Sequence, residues 1–203
     1  MKKFFTVTPQ QRPGNLNLTR YDARGNSLLE YEAAHFPVIP LINGYTVKGD
    51  DVQVITLTFD SDNCRHNLDI LKDDLRELAA KTGISCEVVS VDVPFDSSTE
   101  CVLADFMKLI EHVEDDDILH ACITFGSKPM TVAMMMVLRY ARLVKSNVSV
   151  ECVVYGEQNY QSEPPTGRIY DMTALVKLDE LVGTLADLEI GNPEAIIKQV
   201  IDL

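Results

Sequence analysis

From about residue 50 the chain alternates short apolar, β-branched runs with longer amphipathic stretches, and this alternation restricts the fold more than any other feature. Residues 52–59 (VQVITLTF) are apolar or β-branched at nearly every position, as in a strand buried on both faces. A helix is expected over 62–82, with Leu68, Leu71, Leu75, Leu78 and Ala79 on one face and Lys72, Asp73, Asp74 and Glu77 pointing away. Gly83 is placed to close it. The unit then repeats. A strand at 86–93 leads to a helix opened by the capping-box pair Ser97 and Glu100, with Val102, Leu103, Phe106, Ile110 and Val113 inward. A strand at 118–125, a helix at 130–145 and a strand at 148–155 follow.

Strands joined by helices of this length must run parallel through crossovers, so the sheet is covered on both faces. The expected class is α/β: a Rossmann-like, mostly parallel central sheet with helices on both faces, plus an N-terminal β-hairpin. Residues 2–8 (KKFFTVT) supply one more strand. The hairpin is read from segments 17–21 and 27–32, which flank the turn letters Asp22-Ala23-Arg24-Gly25. Helices near 173–188 and 193–202 complete the chain, the second with Asn192 as cap and Pro193 at its first position. A length of 203 residues suits one core. We therefore expect a single domain over 1–203, with an N-terminal strand and hairpin (1–50), a β-α core (51–156) and a C-terminal helical part (157–203).

Charge and composition exclude several classes. A net charge of −13 opposes binding of long nucleic acid, which needs a basic face. Much of the acid lies in runs such as Glu114-Asp115-Asp116-Asp117, expected to be a solubilising loop. No apolar run approaches the roughly 20 residues that span a bilayer. Met1-Lys2-Lys3-Phe4-Phe5 imitates a signal peptide, but the apolar stretch stops at Pro9-Gln10-Gln11-Arg12, so a cytoplasmic protein is expected. The cysteines at 64, 86, 101, 122 and 152 form no C-x-x-C pair, and Cys86, Cys122 and Cys152 fall in strands as core residues. No metal site and no cofactor fingerprint is expected. The four histidines (35, 66, 112 and 120) are scattered; His66 and His112 are expected at the surface, and His120 at the start of its strand, far from the loops that follow the sheet.

Open parallel sheets bind ligands outside the carboxyl ends of their strands. That rule directs attention to the loops at 8–15, 60–63, 94–98, 126–129 and 156–161. Gly126-Ser127-Lys128-Pro129 joins a strand directly to a helix, combining a permissive glycine, a hydroxyl, a mobile cation and the unpaired N–H groups of a helix start. Together these make an anion site. A tight turn with a serine cap and a solvated lysine is the plainer alternative. The loop from Thr8 through Gln10 and Arg12 to Asn15 adds amide and guanidinium donors suited to bases and phosphates. The helix that opens Met130-Thr131-Val132-Ala133-Met134-Met135-Met136-Val137-Leu138 is apolar all round, so it is either fully covered or meets another subunit. No G-x-G-x-x-G, G-x-x-x-x-G-K-[ST] or G-x-S-x-G motif is present.

The order of elements, together with Cys122-Ile123-Thr124-Phe125-Gly126, the following Ser127-Lys128-Pro129 and the strand end Val153-Val154-Tyr155-Gly156, resembles the CARF domain, the CRISPR-associated Rossmann fold. The five-residue strand end is similar to that family's D-x-T-H-G motif, with Thr124 and Gly126 matching, Cys122 in place of the aspartate and Phe125 in place of the histidine. The resemblance implies a sensor of cyclic oligoadenylate (tetra- or hexa-adenylate) in type III CRISPR antiviral defence, with the ligand held across the two-fold axis of a homodimer. It implies ligand contacts from Thr8, Gln10, Arg12, Thr124, Gly126, Ser127, Lys128, Pro129, Gly156 and Glu157. An alternative is a metal-independent ring nuclease, in which Ser127, Lys128 and Arg12 would stabilise attack of a ribose 2′-hydroxyl on the adjacent phosphodiester. A third is an unrelated Rossmann-like nucleotide-binding enzyme.

Overall fold

Seven strands form one sheet in the computed structural model, which describes residues 1–159 and 165–201. In chain order the elements are β1 (Lys2–Val7), β2 (Arg20–Arg24), α1 (Val38–Tyr45), β3 (Asp51–Phe59), α2 (Asp62–Thr82), β4 (Ser85–Val93), α3 (Thr99–Ile110), β5 (Ile118–Cys122), α4 (Lys128–Val144), β6 (Ser149–Asn159), β7 (Thr166–Asp171), α5 (Thr173–Asp187) and α6 (Pro193–Ile201). The spatial order is β2-β7-β6-β5-β1-β3-β4. Pairing is parallel from β6 through β4 and between β2 and β7; only β6 and β7 run antiparallel. From β1 the chain runs first to β2 at the far edge, comes back through α1 to β3 beside β1, steps outward to β4, and then crosses to the other side of β1 for β5 and β6. This is the doubly wound Rossmann-like arrangement, and its reversal point lies between β1 and β5.

Alternate residues of β1 feed two cores. Phe4 packs with Val52 and Val54 of β3, with Leu71, Leu75 and Leu78 of α2 and with Val38, Leu41 and Ile42 of α1. Phe5 and Val7 face the other way, among Ile55, Leu57, Leu109, Met130, Met134, Val137 and Leu138. The period of two in the strand thus meets helices on both faces. Each such side chain contributes about 1.5–3 kcal/mol relative to exposure.

The expected hairpin is replaced by something else. Asp22, Ala23 and Arg24 lie inside β2, which pairs in parallel with β7, and Ser27–Leu29 is a single 3₁₀ turn capped by the Asn26 side chain. The turn-like letters are read as strand because Tyr21, 3% exposed, anchors β2 in the core while its neighbours point to solvent. The part expected to be helical from 157 onward also begins differently: β6 continues to Asn159, and β7 pairs along that extension. Residues 160–161 of the expected 156–161 loop, and residue 202 of the last helix, lie outside the described residues. The third helix opens one residue later than expected, with Ser98 accepting from the Cys101 N–H. Its buried centre is Asp105 and Leu109, whereas Leu103 is 54% exposed at the rim of the apolar stripe. β4 is an edge strand, which leaves Cys86 only partly buried.

The acidic run is partly structural. Asp117 is buried and its carboxylate stands 2.8 Å from the ammonium of Lys3, itself buried in β1. The Lys3 ammonium also donates to the His112 carbonyl, and Asp117 accepts from the Glu114 N–H. Each keeps a second, more exposed ionic partner, Glu114 for Lys3 and the amino terminus for Asp117, so the pair is part of a four-group network. Asp115 and Asp116 accept from the Ser146 N–H and the Asn147 side chain, so the run also fixes the turn before β6.

His120 is buried rather than exposed. Its ring stacks on Phe4 at 4.3 Å and meets Tyr45 edge-on, and neither ring nitrogen has a hydrogen-bond partner among the described residues. Burial pulls its pKa down to about 4 from an ordinary 6.5. The unfolded chain therefore takes up a proton below about pH 6.5 that the folded chain refuses until about pH 4, so stability present at neutral pH is lost as pH falls through this window. His35 behaves oppositely. Its hydrogen bond to Asp74 raises its pKa, so its contribution is present in acid and fades as pH rises through the folded value. We expect His120→Phe to narrow the loss of thermal stability between pH 7 and pH 5. Equal pH profiles for the variant and the parent, read by calorimetry, would show that His120 is not the acid-sensitive group.

Candidate ligand-binding cleft

A cleft of about 470 Å³ opens at the reversal point, over the carboxyl ends of the strands. It is lined by Thr8, Pro9, Gln10 and Gln11 after β1, Phe59 at the end of β3, Phe95 after β4, and Phe125, Gly126 and Ser127 after β5. Elements distant in sequence meet here because the crossovers diverge on either side of β1 and β5.

The β1 loop is held from behind by the start of α2. Asn67 Nδ2 donates to the carbonyls of Pro9 and Gln11 at 2.8 and 2.9 Å, and Asn63 Nδ2 reaches the Gln10 carbonyl at 3.4 Å. The Cys64 thiol points at the carbonyls of Thr8 and Pro9. Four consecutive carbonyls are thereby turned towards α2. Thr8 is itself buried, and its hydroxyl contacts that of Thr56 at 2.9 Å; Ser90 in turn donates to Thr58. The floor is therefore fixed by hydroxyl contacts across three strands.

The opposite wall is a strand-to-helix turn. Gly126 has φ +99°, a conformation that a side chain disfavours, and an added Cβ would lie 3.2 Å from Val7 and 3.3 Å from the Met130 sulfur. Ser127 caps α4, its hydroxyl accepting from the Met130 N–H at 3.4 Å. Lys128 and Pro129 form the first positions of α4, where the remaining N–H groups carry the positive end of the helix dipole.

The sequence-derived contacts divide into two groups. Thr8, Gln10, Gly126 and Ser127 line the cleft; Lys128 and Pro129 follow directly, and Arg12 lies exposed on the same β1 loop. Lys128 and Arg12 make no ion pair with the described residues, whereas the nearby acids of the β3–α2 turn, Asp60 and Asp62, both pair with Arg65. Thr124, Gly156 and Glu157 are engaged elsewhere. The Thr124 hydroxyl accepts from the Gly156 N–H at 2.8 Å and contacts the Cys122 thiol, so it fastens β5 to β6. Gly156 lies within β6 rather than in a loop, and a Cβ there would sit 2.4 Å from the Pro37 ring. Its requirement is close packing. Glu157 accepts from the Tyr170 hydroxyl and borders a different, charged groove with Asp22, Arg24 and Arg168.

Sequence reasoning missed the three phenylalanines and the three α2 side chains behind the loop. Phe95 had a readable signal, as the one large apolar residue within Pro94-Phe95-Asp96-Ser97-Ser98. A larger groove, about 1070 Å³, runs along the edge strand β2, but its walls mix Asp22, Glu30 and Glu32 with Arg20 and Lys81. That wall of mixed sign suits an anion poorly. Burial raises the Cys122 thiol well above its ordinary value, and Cys152 is pushed up to about 11, so neither is a nucleophile at neutral pH. No three His, Cys, Asp or Glu side chains among the described residues converge on a point that could hold a metal ion. The chain matches no family model and no curated protein sequence.

The pinning of the loop gives a direct test. Asn67→Ala is expected to lower stability by about 1–3 kcal/mol, since it removes one buried and one partly buried hydrogen bond to the loop carbonyls. Amide exchange at Gln10, Gln11 and Arg12 should accelerate relative to the rest of the sheet. Unchanged exchange there would mean that the loop is held by other contacts.

Proposed function

We propose that the cleft binds a cyclic oligoadenylate across the two-fold axis of a homodimer, and that the domain acts as a cytoplasmic sensor in type III CRISPR defence. One observation carries the reading. A pinned loop and a helix start meet at the reversal point of a Rossmann-like sheet, and two exposed cations, Arg12 on that loop and Lys128 at that helix start, make no ion pair among the described residues. Phosphate needs donors and positive charge at close range, and the acids of the neighbouring β3–α2 turn, Asp60 and Asp62, are paired with Arg65. The resemblance to CARF domains supplies the ring-shaped ligand, which a two-fold dimer can grip by using each loop twice.

The surface of α4 favours the dimer. Met130, Ala133, Met134, Val137 and Leu138 are buried, but Val132 and Met136 are 59% and 49% exposed, and Leu143 and Val144 are also exposed. The helix that looked apolar all round is thus only half covered by its own chain, and a second copy would cover the rest. No helix among the described residues is long and apolar enough to cross a membrane.

Binding is favoured over ring cleavage. The Ser127 hydroxyl accepts the helix-capping bond of α4, and among the described residues no histidine lines the cleft. In-line attack by a ribose 2′-hydroxyl would depend on positioning by Lys128 and Arg12 alone.

Calorimetric titration with cyclic tetra- and hexa-adenylate should show binding of one ring by two chains. Lys128→Ala should weaken it by about 1–3 kcal/mol with little change in melting temperature. Labelled ring incubated with the protein in excess EDTA should remain intact over hours. Rapid multiple turnover in EDTA, lost in Lys128→Ala, would make the protein a ring nuclease; absence of binding to either ring would refute the reading.

A further inference from the structure

Phe95 stands out among the exposed apolar side chains. It is 78% exposed. The turn that carries it is tied by Asp96, which accepts from the Ser98 N–H at 2.8 Å and from the Cys101 thiol. The Ser98 N–H, and then the Cys101 thiol, hold the Asp96 carboxyl below its usual range, so the tie persists throughout the neutral region. The ring meets Phe59 edge-to-face, with centroids 5.3 Å apart and planes at 84°. Phe59 is 6% exposed and fixed in the core, so Phe95 is braced at one side and open to solvent over the rest. Phe125 also lines this cleft, beside the start of α4 and the loop that carries Arg12.

An exposed aromatic ring braced on one side offers a flat apolar face whose burial against a ligand is favourable. Phosphate alone does not use such a surface. A ligand bearing both anionic groups and a planar aromatic ring would use both parts of the cleft: the anion at the helix start and the ring against Phe95. The geometry points to Phe95 as a stacking platform for a nucleobase, and so as a specificity-determining residue of this cleft. The inference rests on the nucleotide reading above and adds the base-recognising element to it. Gln10, on the same wall as Thr8, presents a side-chain amide that offers a donor and an acceptor to a base edge. Base–aromatic stacking tolerates any base, so Phe95 supplies affinity for nucleotides as a class and leaves the choice among them to polar contacts.

The probes are cyclic tetra- and hexa-adenylate, a ring of the same size with one adenine replaced by 2-aminopurine, and ribose 5-phosphate, which keeps the anion and lacks the base. The chain contains no tryptophan, so 2-aminopurine emission is read without interference. Wild type should quench that emission on binding and should bind ribose 5-phosphate far more weakly than a ring. Phe95→Ala should weaken ring binding roughly 10-fold or more and abolish the quenching, while leaving binding of ribose 5-phosphate unchanged. Phe95→Tyr should behave as wild type and Phe95→Leu as the alanine variant, because the flat face and not the apolar bulk is required. Thermal melts of all three variants should match the parent, since the side chain is largely exposed. If wild type binds the rings and Phe95→Ala binds and quenches equally well, the stacking role is wrong and the nucleotide reading survives. Failure of wild type to bind any ring removes both. If Phe95→Ala instead dissociates a dimer in sedimentation with ring affinity intact, Phe95 belongs to a protein interface and the inference is overturned.

Discussion

Parallel strands can be connected only through crossovers of one hand, and in this chain that constraint determines where a cleft can exist. The connections that enter and leave β3 pack α1 and α2 on one face, and the connection from β5 to β6 packs α4 on the other. Keeping the same hand while reversing direction requires the change of face. The loops leaving β1 and β5 are therefore driven apart, towards opposite faces, although the strands themselves are neighbours. The space between them cannot be filled by either connection. Everything proposed for this molecule sits in that gap.

The sheet interior supports the gap by packing and by a small number of buried polar contacts. Phe4 and Phe5 commit β1 to both cores, and the Lys3–Asp117 pair locks its amino end to the turn before β5. At its carboxyl end the contacts change character. Thr8, Thr56, Thr58 and Ser90 replace aliphatic packing with hydroxyl contacts, and Asn67 and Asn63 hold backbone carbonyls. Hydrogen bonds are directional where hydrophobic contacts are not, so the polar end of the sheet is the end at which loop positions are fixed most narrowly.

The repeating strand–helix units were legible because each presents a period of its own: continuous apolar letters in 52–59, a 3.6-residue stripe in 62–82. The missed elements lack such periods. α1 (VIPLINGY) contains Pro40 and Gly44, which weaken any helical reading, yet Gly44 is needed there because a Cβ would lie 2.1 Å from the Leu28 carbonyl oxygen. β2 (RYDAR) has one buried residue among polar ones and turn-like letters beside it, and its partner β7 is far away in sequence. Tertiary pairing decides such segments. In the candidate site, Gly126, Ser127 and Lys128 could be read from local order alone. The 2.8 Å bond between Thr124 and Gly156 and the Pro37 contact could not be read locally, since they exist only once β5, β6 and α1 are assembled. The aromatic lining had the same limit: Phe59 looks like an ordinary strand end until its contact with Phe95 is seen.

The manner in which the β1 loop is held separates its path from its chemistry. α2 grips main-chain carbonyls, which every amino acid possesses, and makes no demand on the side chains at Gln10 or Arg12. Those two positions are consequently free to drift in evolution, or to be randomised in a library, while the backbone route across the cleft is conserved. A scaffold built this way can exchange one ligand preference for another by point substitution without first acquiring compensating changes in its core.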